Sequence, residues 1–185
     1  MHSILRDCQA GNISSLTGTA QAEGMTPEAL ARSIAAGRTI LLKNAKRDYT
    51  PCAIGAGTKV KVNVNVGTSG QRCGPAMGME KVSAAIANGA DAIMDLSTGG
   101  DLAAMRREIL KLPIPVGTVP IYEAVRRAGN VIDLTPDLLF KVIREQAEQG
   151  VDFRTLHCGV NLEVVEALRL DPRVMGVVSR GGSFH

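Results

Sequence analysis

No stretch of this chain is long and apolar enough to span a bilayer, and Met1 to Gly24 is interrupted by polar residues throughout, with no signal-type hydrophobic region. That pattern predicts a cytoplasmic protein with no membrane partner, in which thiols stay reduced. Neither sign of charge dominates, with 21 Lys and Arg against 18 Asp and Glu. The basic residues are scattered rather than gathered into a tract, which argues against nucleic acid and for a small anionic ligand. Cys8, Cys52, Cys73 and Cys158 form no Cys-x-x-Cys pair and have no Cys-His spacing of the metal-site kind. Neither a disulfide framework nor a metal centre is legible in them. At 185 residues the chain has room for one ordinary domain rather than two.

What is present is a repeating alternation of strand and helix signals. Thr26-Pro27 reads as an N-cap followed by the first helical residue, with Gly37 closing a short helix. After a loop, "TKVKVNVNVGTS" sets Val60, Val62, Val64 and Val66 on one side of a strand and Lys61, Asn63 and Asn65 on the other. Glu80 to Asn88 has helical spacing and stops at Gly89; "ADAIMDLSTGGD" then gives a strand and a Gly-rich turn. Asp101 to Leu110 reads as a helix, "IPVGTVP" as a strand, and helices open near Tyr122 and at Thr135-Pro136, the second running to Gly150. "VDFRTLHCGV", a helix from Asn161 to Leu170 and "VMGVVSRGGS" complete the series. Two handovers, "NGADAIMDLSTG" and "QGVDFRTLHCGV", place the same Gly-x-Asp between a helix end and a strand.

Strands separated by helices imply a parallel sheet, either open and doubly wound or closed into a (β/α)8 barrel. An open sheet covered on both faces reads as continuously apolar, whereas the strand with Asn63 and Asn65 alternates. In a barrel the valine face packs outward on helices and the asparagines point inward, towards the C-terminal mouth. The expectation is therefore an α/β fold: a partial (β/α)8 TIM barrel of about the first five βα units over residues 26–185, with residues 1–25 an N-terminal segment to which the pattern assigns no structure.

A barrel carries its chemistry at the C-terminal ends of its strands. Asn65, Met94 to Gly99, Tyr122, His157 and Ser179-Arg180-Gly181 all fall there. Asn65 fits a buried structural amide as well as a ligand contact; Met94 alone reads as core. Asp95 fits a cap on a backbone turn, and Thr98 or Asp101 a helix N-cap. Tyr122 follows Pro120 and fits simple packing with its hydroxyl in water. By alternation His157 shares a strand face with Phe153 and Thr155 and points inward, with a satisfied core histidine as the rival reading. Cys158 falls on the opposite face, as a buried, inert thiol. In "SRGGS" a Gly-Gly pair flanked by serines, with an arginine before it, frees backbone amides to face an anion, and such nests normally continue into a helix.

In order and approximate spacing, "VKVNVNVGTS", "GADAIMDLSTGGD", "PIPVGTVPIYEA", "EQAEQGVDFRTLHCGV" and "GVVSRGGS" resemble the phosphomethylpyrimidine synthase family of thiamine biosynthesis. The similarity extends upstream through "EGMTPEALARSIAAGRTILLKN" and so covers nearly the whole chain. The resemblance implies a lyase that converts 5-aminoimidazole ribotide to the hydroxymethylpyrimidine phosphate precursor of thiamine. It also implies S-adenosylmethionine, a 4Fe-4S cluster that generates a 5'-deoxyadenosyl radical, a divalent metal such as zinc, and a homodimer for the complete protein. Carried over by the resemblance, the ribotide-binding positions fall on Asn65, Met94, Tyr122, His157, Ser179, Arg180 and Gly181. The family's two metal-binding histidines and its Cys-x2-Cys-x4-Cys cluster motif have no counterpart here, and His185 does not replace them. The expectation is an N-terminal fragment cut after the fifth strand, with no metal ligand of its own, no assigned catalytic residue and no activity alone. "HCG", where longer members often read "HAG", resembles the family's shorter branch. This keeps 5-hydroxybenzimidazole synthase, which starts the cobalamin lower ligand from the same ribotide, as an alternative. A non-catalytic phosphate-ligand module, or a subunit of a split barrel, is the other. The segment Gly70 to Gly78 and its Cys73 are left without a role.

Overall fold

The structure, a computed structural model, describes residues 3–69 and 75–178. Its N-terminal part holds three helices, α1 (Ser3–Gln9), α2 (Thr17–Glu23) and α3 (Pro27–Ala35), then β1 (Thr39–Leu42) and β2 (Cys52–Gly55). α3 starts as the Thr-Pro pair predicts: Thr26 Oγ1 accepts from the Ala29 amide at 3.2 Å, and Pro27 takes the first helical position, where no N–H is needed. Leu30, Ala31 and Ile34 on its inner face meet Cys8, Leu16, Ala20 and Ala53, forming one core. The described part of the N-terminal segment, residues 3–25, is thus largely helical. β1 and β2 pair antiparallel, Thr39 opposite Gly55, where a loop is expected from the sequence. Each strand is four residues long, too short for its alternation to stand out.

The rest of the described chain alternates strand and helix: β3 (Asn63–Val66), α4 (Pro75–Ala87), β4 (Ala92–Asp95), α5 (Leu102–Ile109), β5 (Val116–Thr118), α6 (Pro120–Ala128), α7 (Pro136–Gln149), β6 (Phe153–Arg154) and α8 (Leu162–Leu170). β3 to β6 form a parallel sheet in strict chain order. The valine face of β3 packs on helices, as the alternation predicts. Val66, Ile93 and Val116 from the sheet meet Val82 of α4 and Met105 and Ile109 of α5 in a second core. Asn63 and Asn65, on the other face, are exposed. The strand is shorter than its pattern: Val60 and Val62 are exposed because β4 supplies partners only from Ala92 upward.

A fifth strand does not form in its described part. Residues 174–178 have no strand pairing, and Val174, Met175, Val177 and Val178 are exposed. β6 itself is only two residues long, so the sheet narrows towards this edge. Ser179 to His185 lie outside the described residues, as do Gly70 to Gly74 with Cys73.

Candidate functional site

Of the expected ligand-binding residues, Asn65 and Met94 lie near the C-terminal ends of their strands. Asn65 and Met94 occupy the next-to-last positions of β3 and β4 and are direct register partners. Met94 is in turn opposite Gly117, and Gly117 opposite Phe153, so the four residues form one lateral row. The Phe153 ring lies over Gly117 so closely that any Cβ there would come under 3.0 Å from it. Met94 is buried while Asn65 is exposed, so the amide is the open end of the row.

Above the row, the turns after β3 and β4 are stitched together. Gly67 has a φ of +154°, and a Cβ there would meet the Ser97 amide nitrogen at 2.6 Å, so only glycine permits the approach. Thr68 donates its amide to Ser97 Oγ at 3.1 Å and its hydroxyl to the Gly99 carbonyl at 2.6 Å. The Thr98 amide returns to the Thr68 carbonyl at 2.9 Å. Asp95 holds the turn by accepting from the Ser97 amide at 3.0 Å, the structural role its position allowed. Burial pushes the Asp95 carboxyl above its ordinary value, against the opposing hydrogen bond from Ser97. Asp101 is the N-cap of α5, accepting from Ala104 at 2.9 Å. A depression of about 230 Å³ opens here, lined by Asn65, Gly67, Thr68, Ser69, Leu96 and Lys81 of α4. Lys81 supplies a cation that the motifs did not single out; its only sequence signal is a basic residue nearly two turns into a helix that follows the rim.

Tyr122 sits half-buried in the first turn of α6, four residues after β5 ends. His157 is placed differently from the expectation. β6 ends at Arg154, so alternation does not extend to His157, and it does not share a strand face with Phe153. Instead Thr155, Leu156, His157 and Cys158 all line one apolar groove of about 420 Å³ with Ile121, Leu139 and Phe140. His157 Nδ1 is buried there without a hydrogen-bond partner. Cys158 is exposed rather than buried, for the same reason: with no strand, parity assigns it no face. The groove reaches α6 through Ile121, the neighbour of Tyr122, so His157 and Tyr122 flank the same end of the sheet without sharing a cavity. Ser179, Arg180 and Gly181 lie outside the described residues.

Beneath the rim is a buried polar layer that sequence reasoning missed, since each member looks like an ordinary surface residue of an amphipathic helix. Glu123 Oε2 accepts from Arg106 at 2.7 Å and from Gln146 at 2.8 Å, and Oε1 accepts from Arg127 at 2.6 Å. Thr118 donates to Gln146 Oε1 at 2.7 Å, tying the layer to β5. Burial raises the Glu123 carboxyl, but the hydrogen bonds from Arg106 and Gln146 outweigh it and hold the group below the usual carboxylate range.

A radical-generating iron–sulfur cluster needs three thiolates brought together. The described cysteines do not fit: Cys8 is buried in the N-terminal core, Cys52 is half-buried on β2, and Cys158 is exposed beyond β6. Among the described residues no group of three or more His, Cys, Asp and Glu is placed to hold a metal ion, and no helix is long and apolar enough to cross a membrane.

The described chain is an α/β protein with a parallel sheet and helices, and Asn65, Met94 and Tyr122 stand at or just beyond the C-terminal ends of its strands. The chain belongs to the radical SAM ThiC family, whose family model matches residues 3–185. It is 48% identical over 186 residues to a phosphomethylpyrimidine synthase of Methanococcus maripaludis strain C7, covering 97% of this chain and 44% of that protein. Over 170 residues it is 48% identical to the phosphomethylpyrimidine synthase of Thermodesulfovibrio yellowstonii, covering 89% of this chain and 40% of that one. The protein of the same name from Methanopyrus kandleri is 43% identical over 188 residues, covering 98% and 44%. The chain therefore spans less than half the length of these relatives.

Proposed function

We propose that this chain is the N-terminal part of the (β/α)8 catalytic barrel of a phosphomethylpyrimidine synthase, and that its sheet rim binds 5-aminoimidazole ribotide on the thiamine pathway. The observation that carries the reading is the pairing of Asn65 with Met94: two positions that the family resemblance assigns to the ribotide are register partners at the open end of the sheet. Strands in strict chain order, helices on the valine face and exposed asparagines on the other support a barrel over a doubly wound sheet, which reverses its order and covers both faces. The names of the relatives favour thiamine chemistry over the benzimidazole branch and over a non-catalytic module.

In this reading Asn65 donates or accepts a hydrogen bond at the ribotide's polar edge, Met94 and the Phe153 ring form an apolar floor, and Tyr122 and His157 close the side beyond β5 and β6. Arg180 with the backbone amides of Ser179 to Gly181 holds the phosphate. In the family S-adenosylmethionine and an iron–sulfur cluster would supply the radical; the described cysteines do not fit such a cluster. The complete protein acts as a homodimer.

The test uses a protein containing this region at the relatives' full length, titrated with the ribotide and with its dephosphorylated analogue. Arg180→Ala weakens ribotide binding by roughly tenfold to a hundredfold and the analogue much less, because one charge-assisted hydrogen bond to phosphate is lost. His157→Ala weakens both ligands alike. Equal losses for both ligands in Arg180→Ala would remove the phosphate from this turn.

A further inference from the structure

On the helix-covered side of the sheet, three buried guanidinium nitrogens have no hydrogen-bond partner. Arg154 is in register with Thr118, whose hydroxyl reaches Gln146 of α7, so the Arg154 side chain leaves β6 on that same face. Its Nε and Nη2 are buried without a hydrogen-bond partner, and so is Nη2 of Arg106. The other two Arg106 nitrogens are used: Nε donates to Gln149 Oε1 and Nη1 to Glu123 Oε2, each at 2.7 Å.

The carboxylates nearby are already committed. Glu123 accepts from Arg106, Gln146 and Arg127. Asp95 Oδ1 accepts from the Ser97 amide, and burial raises its carboxyl against the opposing pull of Ser97 and of the Arg106 charge. Burial, and after it the Arg106 charge, push the Arg154 guanidinium below the usual arginine range; Arg106 has Glu123 as its counter-charge, while Arg154 has no ion pair among the described residues. Buried donors of this kind are normally satisfied, and a guanidinium fork matches the planar, two-oxygen geometry of a carboxylate. Arg154 is only half-buried, and it lies on β6, which among the described residues pairs with β5 alone.

We propose that Arg106 and Arg154 form a binding site for a carboxylate, separate from the ribotide rim on the opposite face of the sheet. The carboxylate comes either from solution or from an Asp or Glu side chain of polypeptide packed against the β6 edge, and the chemistry of recognition is the same.

The probe is acetate, compared with chloride at equal ionic strength. On the 185-residue chain, acetate at ten times its dissociation constant raises the unfolding midpoint by about 3–6 °C and chloride does not. The Arg154 Nε–H resonance shifts over the same titration, a readout that needs no variant. Arg154→Met keeps the apolar stem, abolishes the acetate response and unfolds no earlier than wild type in acetate-free buffer, because an uncompensated buried charge is gone. Equal responses to acetate and chloride, or an acetate response that survives Arg154→Met, would overturn the site. In a protein extended to the relatives' length, a retained acetate response assigns the site to a solution carboxylate. Loss of that response, together with strong destabilisation by Arg154→Met, assigns it to a protein side chain. Neither effect in the longer protein would overturn the proposal there too.

Discussion

Glu123 and Asp95 are buried carboxyls in one packing layer, yet they act on stability in opposite directions. Glu123 is held below its ordinary value, so its contribution is complete above the unfolded-state carboxylate range and is lost as pH falls through the folded value. Asp95 is raised, so the folded state loses stability as pH rises from the unfolded value through the folded one, where a buried group must ionise. Glu123→Gln should cost about 3 kcal/mol at neutral pH by stranding Arg106, with the loss shrinking in acid. Asp95→Asn keeps an acceptor for the Ser97 amide, so its unfolding midpoint should equal or exceed wild type at pH 7, with the difference vanishing below about pH 4. Thermal melts of both variants across pH check the signs. A midpoint for Asp95→Asn well below wild type at pH 7 would mean the carboxylate is needed ionised.

The repeated Gly-x-Asp is an element-level device. In each copy the aspartate accepts an amide at the entry to the preceding strand: Asp91 Oδ2 from Val62, just before β3, at 2.7 Å, and Asp152 Oδ2 from Val116, the first residue of β5, at 2.8 Å. Each therefore locks strand register from the base of the sheet. The second copy does more. Asp152 Oδ1 also accepts the Asn44 amide at 2.6 Å and the Tyr49 hydroxyl at 2.8 Å, while Arg47 pairs with Oδ2. Burial and the Asp152 hydrogen bond push the Tyr49 hydroxyl far above its ordinary value, so it stays a donor. This fastens the β1–β2 hairpin to the parallel sheet, with Asn44 Nδ2 reaching the Ala147 and Val151 carbonyls at 3.0 Å. Asp152→Ala should cost about 3–5 kcal/mol because it strands a buried guanidinium. Asp91→Ala, at an exposed hydrogen bond, should cost about 1 kcal/mol. Denaturant unfolding of the two variants compares them, and similar losses would show that the clasp adds nothing to the register lock.

The sheet as a whole is open at both sides, with β3 and β6 each paired on one edge only among the described residues. Phe140, Leu162, Leu170 and Met175 are exposed in addition. Edges and apolar surface of this kind invite pairing with another chain. The isolated 185-residue chain should therefore self-associate or unfold at modest temperature, as sedimentation and calorimetry would show; a monomeric, cooperative transition at high temperature would count against an open barrel. The same chain, supplied anaerobically with iron and sulfide, should not cleave S-adenosylmethionine, because its described cysteines stand apart on separate elements. Formation of 5'-deoxyadenosine above background would show that the thiols can assemble a cluster after all.

Capped helix starts were legible in advance because caps are local chemistry: Thr26-Pro27, Asp101, Thr135-Pro136 and Asn161 begin helices through hydrogen bonds to residues three positions away, whereas α4, expected from Glu80, starts at Pro75. The helix-facing side of β3 was legible too, since alternation of valine with asparagine is a property of the segment alone. Strand length was not, because a strand lasts only as long as its neighbour. Val60 and Val62 lie below the start of β4, β6 stops after Arg154, and the faces expected for His157 and Cys158 failed with it. The clasp at Asp152 and the Arg106–Glu123–Gln146 layer were equally hidden, since their partners lie 17 to 108 residues apart. Only folding decides which of many similar polar side chains are buried together, and burial is what leaves Nε and Nη2 of an ordinary-looking Arg154 without a hydrogen-bond partner.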